Sequence, residues 1–342
     1  MGWPHCRSDS SMVNNAMNAR RPARSALFAA VLLVSMLCPG QAQTYEGREL
    51  VQARLLADAT AVVPGKPFTV GLLLHMVPNW HTYWKFPGDA GIPTEIKWKL
   101  PDGWRVGEIQ WPIPLKLTEP GDIQIYGYHD EVLLLQEVTP PASLKDSNVQ
   151  LAAEASWLVC EKICIPGSAN LKLDLPVAAQ SASANEEIFS RYRRSLPQNW
   201  PKGEVARATW QREGAELRLA VESAALANYP AADFFPLPEN NVVVGHVKTE
   251  RGPSGKTTFR VPIETADKNL SALDGIVVFG QNENGAGRNA WLVTAPAVAA
   301  VSPPLPDGFA KFLLFGFSQR LLHIDFFKQS KPCKPCSMRS PR

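Results

Sequence analysis

Two cysteines four positions apart, Cys160 and Cys164, are the residues of this 342-residue chain best suited to chemistry. They stand in the run Trp157-Leu158-Val159-Cys160-Glu161-Lys162-Ile163-Cys164-Ile165-Pro166, where one strand pattern ends and another begins after Gly167. In a continuous strand their Cα atoms would lie about 13 Å apart, beyond disulfide reach. With Glu161-Lys162-Ile163 as a hairpin loop they face each other across two strands at about 4.5–5.5 Å, inside that reach. A bridge closing so small a loop is a weak staple. The closure entropy of about five residues is worth roughly 2 kcal/mol, against about 5 kcal/mol for a hundred-residue loop. The pair suits thiol–disulfide exchange, in which one sulfur resolves a mixed disulfide formed by the other and a nearby cation such as Lys162 favours the thiolate. A structural bridge and a soft-metal site stay open as other uses of the same sulfurs. Position at the strand end suggests Cys160 as the attacking sulfur, with the order left open.

Around this pair the candidate accessory groups are aromatic. Trp80, His81, Tyr83 and Trp84 cluster just after a strand and are read as a wall that shields the sulfurs and receives partners, with His81 modulating thiol ionisation. Sandwich core plus a structured loop is the competing reading of the same cluster. Residues 111–126, rich in Pro and Gly and ending at Tyr126, read as a long connection able to cover the pair or to serve as an ordinary surface loop. Cys333-Lys334-Pro335-Cys336 copies a redox spacing, but without a strand and helix to pose it, and is read as incidental. His75, His129 and His246 are scattered, so no metal and no dissociable cofactor is expected.

The elements that must hold these residues are strands. Thirty prolines and sparse helical periodicity favour short strands joined by turns. Alternation is clearest at Glu95–Leu100 and Leu171–Leu175, with further strands expected over 68–76, 105–111, 132–138 and 149–159. Ser183-x-x-Glu186 resembles a capping box opening a helix with Ile188, Phe189, Tyr192 and Leu196 on one side. Strand patterns resume at 206–213, 215–223, 241–250, 256–264, 274–280 and 288–295. The fold class is therefore all-β: two immunoglobulin-like β-sandwiches in tandem, over 43–178 and 201–303, joined by a helical connector at 179–200. An atypical tail, read as disordered, follows at 304–342, with no twenty-residue apolar span.

At the other end, residues 1–42, counted from Met17, join a basic start, a short apolar run and a small-residue end, the pattern of a cleaved secretory signal peptide. Export places the cysteines in an oxidising compartment, the periplasm. Residues 1–42 hold four Arg against one Asp and residues 318–342 six Lys/Arg against one Asp, more than the whole chain's net charge of +3, so the body between them is acidic by about five charges. It lacks the basic stripe that a nucleic-acid partner needs.

The cysteine run, together with Asn79-Trp-His-Thr-Tyr-Trp-Lys-Phe-Pro-Gly-Asp-Ala-Gly-Ile-Pro93 and Ile109-Gln-Trp-Pro112, resembles the periplasmic N-terminal region of the DsbD/ScsB family of thiol:disulfide interchange proteins. The likeness extends over about residues 45–310, including the cysteine-free second sandwich. It implies an immunoglobulin-like domain that takes electrons from a membrane-embedded donor domain and reduces periplasmic thiol/disulfide proteins, with Cys160 and Cys164 as the redox pair and residues 111–126 as a protective cap. The family continues into a multi-helix membrane domain, which residues 318–342 do not resemble, so the donor is expected to act in trans. Copper capture by the thiols, as in copper tolerance, and a docking sandwich without redox chemistry are the rival functions.

Overall fold

Period-two patterning makes strands of most of the chain. The computed structural model describes residues 44–45, 48–201, 206–239, 242–265, 270–281 and 287–294. In chain order its strands are β1 (Thr44–Tyr45), β2 (Arg48–Glu49), β3 (Val51–Ala57), β4 (Phe68–Met76), β5 (His81–Gly88), β6 (Glu95–Lys99), β7 (Arg105–Val106), β8 (Leu115–Glu119), β9 (Ile123–His129) and β10 (Glu131–Thr139). There follow β11 (Asn148–Cys160), β12 (Cys164–Pro176), β13 (Gln198–Asn199), β14 (Arg207–Glu213), β15 (Glu216–Glu222), β16 (Ala231–Leu237), β17 (Lys248–Arg251), β18 (Lys256–Pro262), β19 (Asp274–Gly280) and β20 (Asn289–Val293). Helix α1 (Glu186–Arg194) lies between the two sets of sheets. The expected all-β class, with tandem immunoglobulin-like sandwiches, is the one observed.

In the first sandwich a sheet of order β3-β4-β10-β7 faces a larger one of order β12-β11-β5-β9-β8, in which β5 and β6 pair with successive parts of β11. The second sandwich stacks β13-β20-β19-β16 on β14-β15-β18-β17. Alternation decides what each face meets. Val70, Leu72, Leu74 and Met76 of β4 and Val132, Leu134 and Val138 of β10 enter the core between the sheets. Burying each such side chain contributes about 1.5–3 kcal/mol. The intervening Leu73, Leu133 and Leu135 face the other way and are covered by Phe189 of α1. This sheet is therefore buried on both faces, and α1 is part of the first sandwich's packing as well as a connection. The cores of the two sandwiches are continuous, with Phe235, Ile276, Val278 and Ala290 of the second joining Trp84 and Tyr126 of the first.

Several local expectations differ from the structure. No capping box forms at Ser183: the residue preceding α1 is Asn185, at φ 50°, and its side chain donates to Ala57 O at 2.8 Å. Asparagine tolerates this left-handed conformation, and a bond to β3 takes the place of a local cap. The expected strand at 105–111 is paired only at Arg105–Val106 and again as a single bridge at Gln110. The one expected at 241–250 narrows to Lys248–Arg251. Conversely, His81, Tyr83 and Trp84 of the aromatic cluster lie on a strand of their own, β5, and much of the 111–126 connection forms the paired strands β8 and β9. The signal-peptide segment 1–42, the tail 304–342 and the Cys333/Cys336 pair lie outside the described residues.

Candidate functional site

Strands β11 and β12 each run thirteen residues, antiparallel and in register, so that the hairpin joining them sets Cys160 opposite Cys164. Glu161 N–H donates to Ile163 O at 3.3 Å across the turn. The two sulfurs are bonded, and the Cα atoms are 4.2 Å apart. Their surroundings are unequal. Cys160 ends an interior strand and is 1% exposed, whereas Cys164 opens the edge strand and is exposed.

Parity along the strands chooses the neighbours. Leu151, Ala153, Ala155, Trp157 and Val159 of β11 point into the sandwich core, and Cys160 points to the opposite face. Cys160 pairs in register with His81 of β5, so His81 and Tyr83 share its face. The Tyr83 hydroxyl donates to Cys160 Sγ at 2.9 Å and lies 3.7 Å from Cys164 Sγ. His81 Nε2 stands 3.3 Å from Tyr83 Oη and 3.3 Å from Glu119 Oε1 at the end of β8. With the Tyr83 hydrogen given to sulfur, the network assigns His81 as the Nε2–H tautomer, donating to Tyr83 Oη with Glu119 Oε1 close by. Glu119 Oε1 is buried and makes no well-aligned hydrogen bond among the described residues.

Burial holds the Tyr83 phenol protonated, its pKa pushed up to about 12, with the Glu119 charge acting in the same direction. Burial, and then the neighbouring His129, lower the His81 pKa to about 4, so the ring is neutral at physiological pH. The site therefore presents a fixed hydroxyl donor to the buried sulfur. A hydrogen bond to sulfur stabilises developing thiolate far more than it stabilises the neutral disulfide.

Apolar cover surrounds this network. Leu117 of β8 and Ile123 and Ile125 of β9 pack in one cluster with Tyr83, Leu158 and Cys160. Above Tyr83 the chain itself lies against the ring: Gly91 has φ 117°, and a Cβ there would sit 2.3 Å from the Tyr83 ring carbons. Only glycine permits both that conformation and that approach.

The expected aromatic wall is thus halved. Tyr83 meets the sulfurs and His81 stands behind it on the same face, but Trp80 and Trp84 belong to the sandwich core on the opposite face. Tyr126 also faces that core, edge-on to Trp84 at 6.4 Å and 4.8 Å from Phe235 between ring centroids, and does not shield the pair. The reason is strand parity: once β5 begins at His81, consecutive residues cannot share a face. Lys162 sits in the exposed turn. His129 meets His81 edge-to-face at 5.6 Å between ring centroids, and His246 is engaged by Asp89. Among the described residues no group of three or more His, Cys, Asp or Glu is placed to hold a metal ion. Glu119 and Gly91 were not singled out from sequence. Glu119 falls inside the 111–126 connection, although the flanking alternation Leu115, Leu117, Ile123, Ile125 marks the hairpin that carries it.

Residues 52–176 match a sequence model described as thiol:disulfide interchange protein DsbD, N-terminal. Comparison with curated proteins gives no match. Among solved structures, the N-terminal periplasmic domain of ScsB from Proteus mirabilis aligns with TM-score 0.53 at 18% identity, covering 74% of this chain and 96% of that one. The E. coli chaperone DraB aligns with TM-score 0.14 at 10% identity, over 71% of this chain and 96% of its own. Residues 52–176 thus match the N-terminal region of the thiol:disulfide interchange protein DsbD in sequence, and the chain shares the fold of the ScsB domain, an immunoglobulin-like sandwich here carrying its disulfide at one end of the larger sheet.

Proposed function

We propose that this chain is a periplasmic thiol:disulfide exchange module, passing reducing equivalents from a membrane-embedded donor to periplasmic proteins through Cys160 and Cys164. The observation that carries the proposal is the inequality of the two sulfurs: one exposed on an edge strand, the other buried beneath a hydroxyl donor. A donor thiolate reaches Cys164 Sγ, forms a mixed disulfide there and expels Cys160 as thiolate, which Tyr83 stabilises. A second donor thiolate then releases Cys164, leaving the pair reduced by two electrons and the donor oxidised. In the forward step the Cys164 thiolate attacks a partner's disulfide and Cys160 resolves the mixed disulfide. This order reverses the positional reading of Cys160 as the attacking sulfur, because access outweighs place in the sequence. The family match over residues 52–176 supports both the chemistry and the compartment. Among the described residues no helix is long and apolar enough to cross a membrane.

The test is trapping in periplasmic extract. Cys160→Ser should accumulate mixed disulfides through Cys164, while Cys164→Ser should capture little because its remaining sulfur is buried. If neither variant captures a protein under conditions where an established exchange protein does, the proposal fails.

A further inference from the structure

The second sandwich holds none of the site's sulfurs, yet its polar side chains converge on the segments that cover them. Lys116 of β8 pairs with Asp233 of β16 at 2.7 Å, with side-chain exposures of 20% and 16%. Arg288, just before β20, donates to Pro114 O at 2.7 Å and to Ile113 O at 3.1 Å, the two residues that lead into β8. His246 lies 2.7 Å from Asp89 Oδ2, and the same carboxylate oxygen accepts the Gln124 N–H of β9 at 2.7 Å. Asp89 in turn donates its own N–H to Gln124 O at 2.9 Å. His246 Nδ1 is also 3.8 Å from Asp122 in the β8–β9 turn. The held segments bring Leu117, Ile123, Ile125 and Glu119 to the Tyr83, His81 and Cys160 cluster, and Gly91 to the Tyr83 ring.

We infer that His246, Asp233 and Arg288 are positioning residues of the disulfide site, clamping the β8–β9 hairpin and the Asp89–Gly91 loop over Tyr83 and the buried sulfur. β9 is joined to β5 at His81–Tyr83 and again only at Gly88, with a register break between, and β8 is an edge strand, so the outer part of the hairpin gains from anchors outside its own sheet. The partly buried Lys116–Asp233 pair and the half-buried Arg288 guanidinium on two carbonyls supply directional anchors, and Tyr126 against Phe235 supplies the apolar one. The clamp rests on the exchange reading for its purpose, which is to keep Cys160 reachable only through Cys164.

Differential alkylation of the reduced full chain, with modified peptides mapped by mass spectrometry, tests it. In the parent, Cys164 reacts fast and Cys160 slowly. His246→Ala, Asp233→Asn and Arg288→Met should each raise the Cys160 rate about tenfold, the change that roughly 1.4 kcal/mol of lost closure produces, and leave the Cys164 rate unchanged. The double variant Lys116→Met with Asp233→Asn serves if the single substitution strands a lysine charge and unfolds the protein. Glu216→Gln breaks the Arg260 pair on the other sheet of the second sandwich and should leave Cys160 as slow as in the parent. Cys160 rates within twofold of the parent in all clamp variants, or an equal rise in Glu216→Gln, overturn the inference. Trapping by Cys160→Ser in the parent background is scored separately. Its failure removes the exchange reading while the clamp stays measurable, and an unmoved Cys160 rate removes the clamp while exchange stands.

Discussion

Replacing Tyr83 by Phe removes one oxygen atom and isolates what that oxygen does for the sulfur. The ring keeps its place against Gly91 and Ile125, and the lost hydroxyl leaves His81 facing Glu119, so the fold should be little disturbed. In the disulfide the 2.9 Å contact from Tyr83 Oη is a weak bond to neutral sulfur. As a thiolate attacks Cys164 and charge builds on Cys160, it becomes a bond to an anion, worth about 1.5–3 kcal/mol in full. With charge only partly developed at the transition state, about 1.5 kcal/mol is lost in the variant, or roughly tenfold in rate. Burial keeps the Tyr83 phenol protonated to about pH 12, so the donor is present throughout the accessible range. Rapid mixing of the oxidised protein with dithiothreitol at neutral pH, quenched with acid and resolved by chromatography, reads the rate directly. The variant should be about tenfold slower, and alkylation against pH should show its Cys160 thiol ionising at higher pH than in the parent. A rate within twofold of the parent, or a faster one, would refute the assignment of Tyr83 as the donor to the leaving sulfur.

Two further outcomes follow from the same site. Folded His81 takes its proton only near pH 4, while in the unfolded chain it does so near 6.5; the unfolded state therefore binds more protons between those values, and stability is lost as pH falls through the window. The loss reaches about 3 kcal/mol below pH 4 and is absent above 6.5. Urea titrations at pH 7 and 4.5 should show the parent weakening by about 2–3 kcal/mol more than His81→Phe, and equal losses would clear His81 of the acid response. Gly91→Ala puts a Cβ 2.3 Å from the Tyr83 ring at a φ of 117°. It should cost more than about 2 kcal/mol and slow dithiothreitol reduction, whereas Gly121→Ala, at φ 92° with only Ile123 Cγ1 at 4.0 Å, should cost about 1–2 kcal/mol and leave the rate alone; equal effects in the two variants would contradict the packing of the loop on Tyr83.

Sequence reading succeeded where one interaction dominates. The C-x3-C spacing admits a bridge only across a tight hairpin, and the alternation on either side of it specifies β11 almost to its ends and the later part of β12. It failed where tertiary partners supply the missing half of a pattern. β4 and β10 are apolar on both faces because α1 covers the second face, so parity there tells little about which residues meet. Trp80 to Trp84 read as a cluster because composition carries no phase; the pairing of His81 with Cys160 fixes the phase and sends the tryptophans inward. Glu119-Pro120-Gly121-Asp122 does make a turn, but a turn signature carries no information on whether the Glu at its mouth faces solvent or His81. The contacts of His246, Asp233 and Arg288 join residues more than a hundred positions away in sequence, and no local pattern announces them.

The energetics of the bridge and of the hairpin that carries it are separable, which is what an exchange site requires. Closing a loop of about five residues stabilises the chain by only roughly 2 kcal/mol. The strands on either side remain joined along thirteen register pairs, and β11 is held on its other edge by β5 and β6. Opening the disulfide therefore removes a small constraint from an element whose ladder and core contacts stay in place. The two thiols remain neighbours, and the return step is a reaction between groups already in position. A bridge that spanned the two sheets would tie its redox state to the integrity of the core. Here the sulfurs stand on the outer face of one sheet, so electrons can pass through the pair while the sandwich beneath it is left alone.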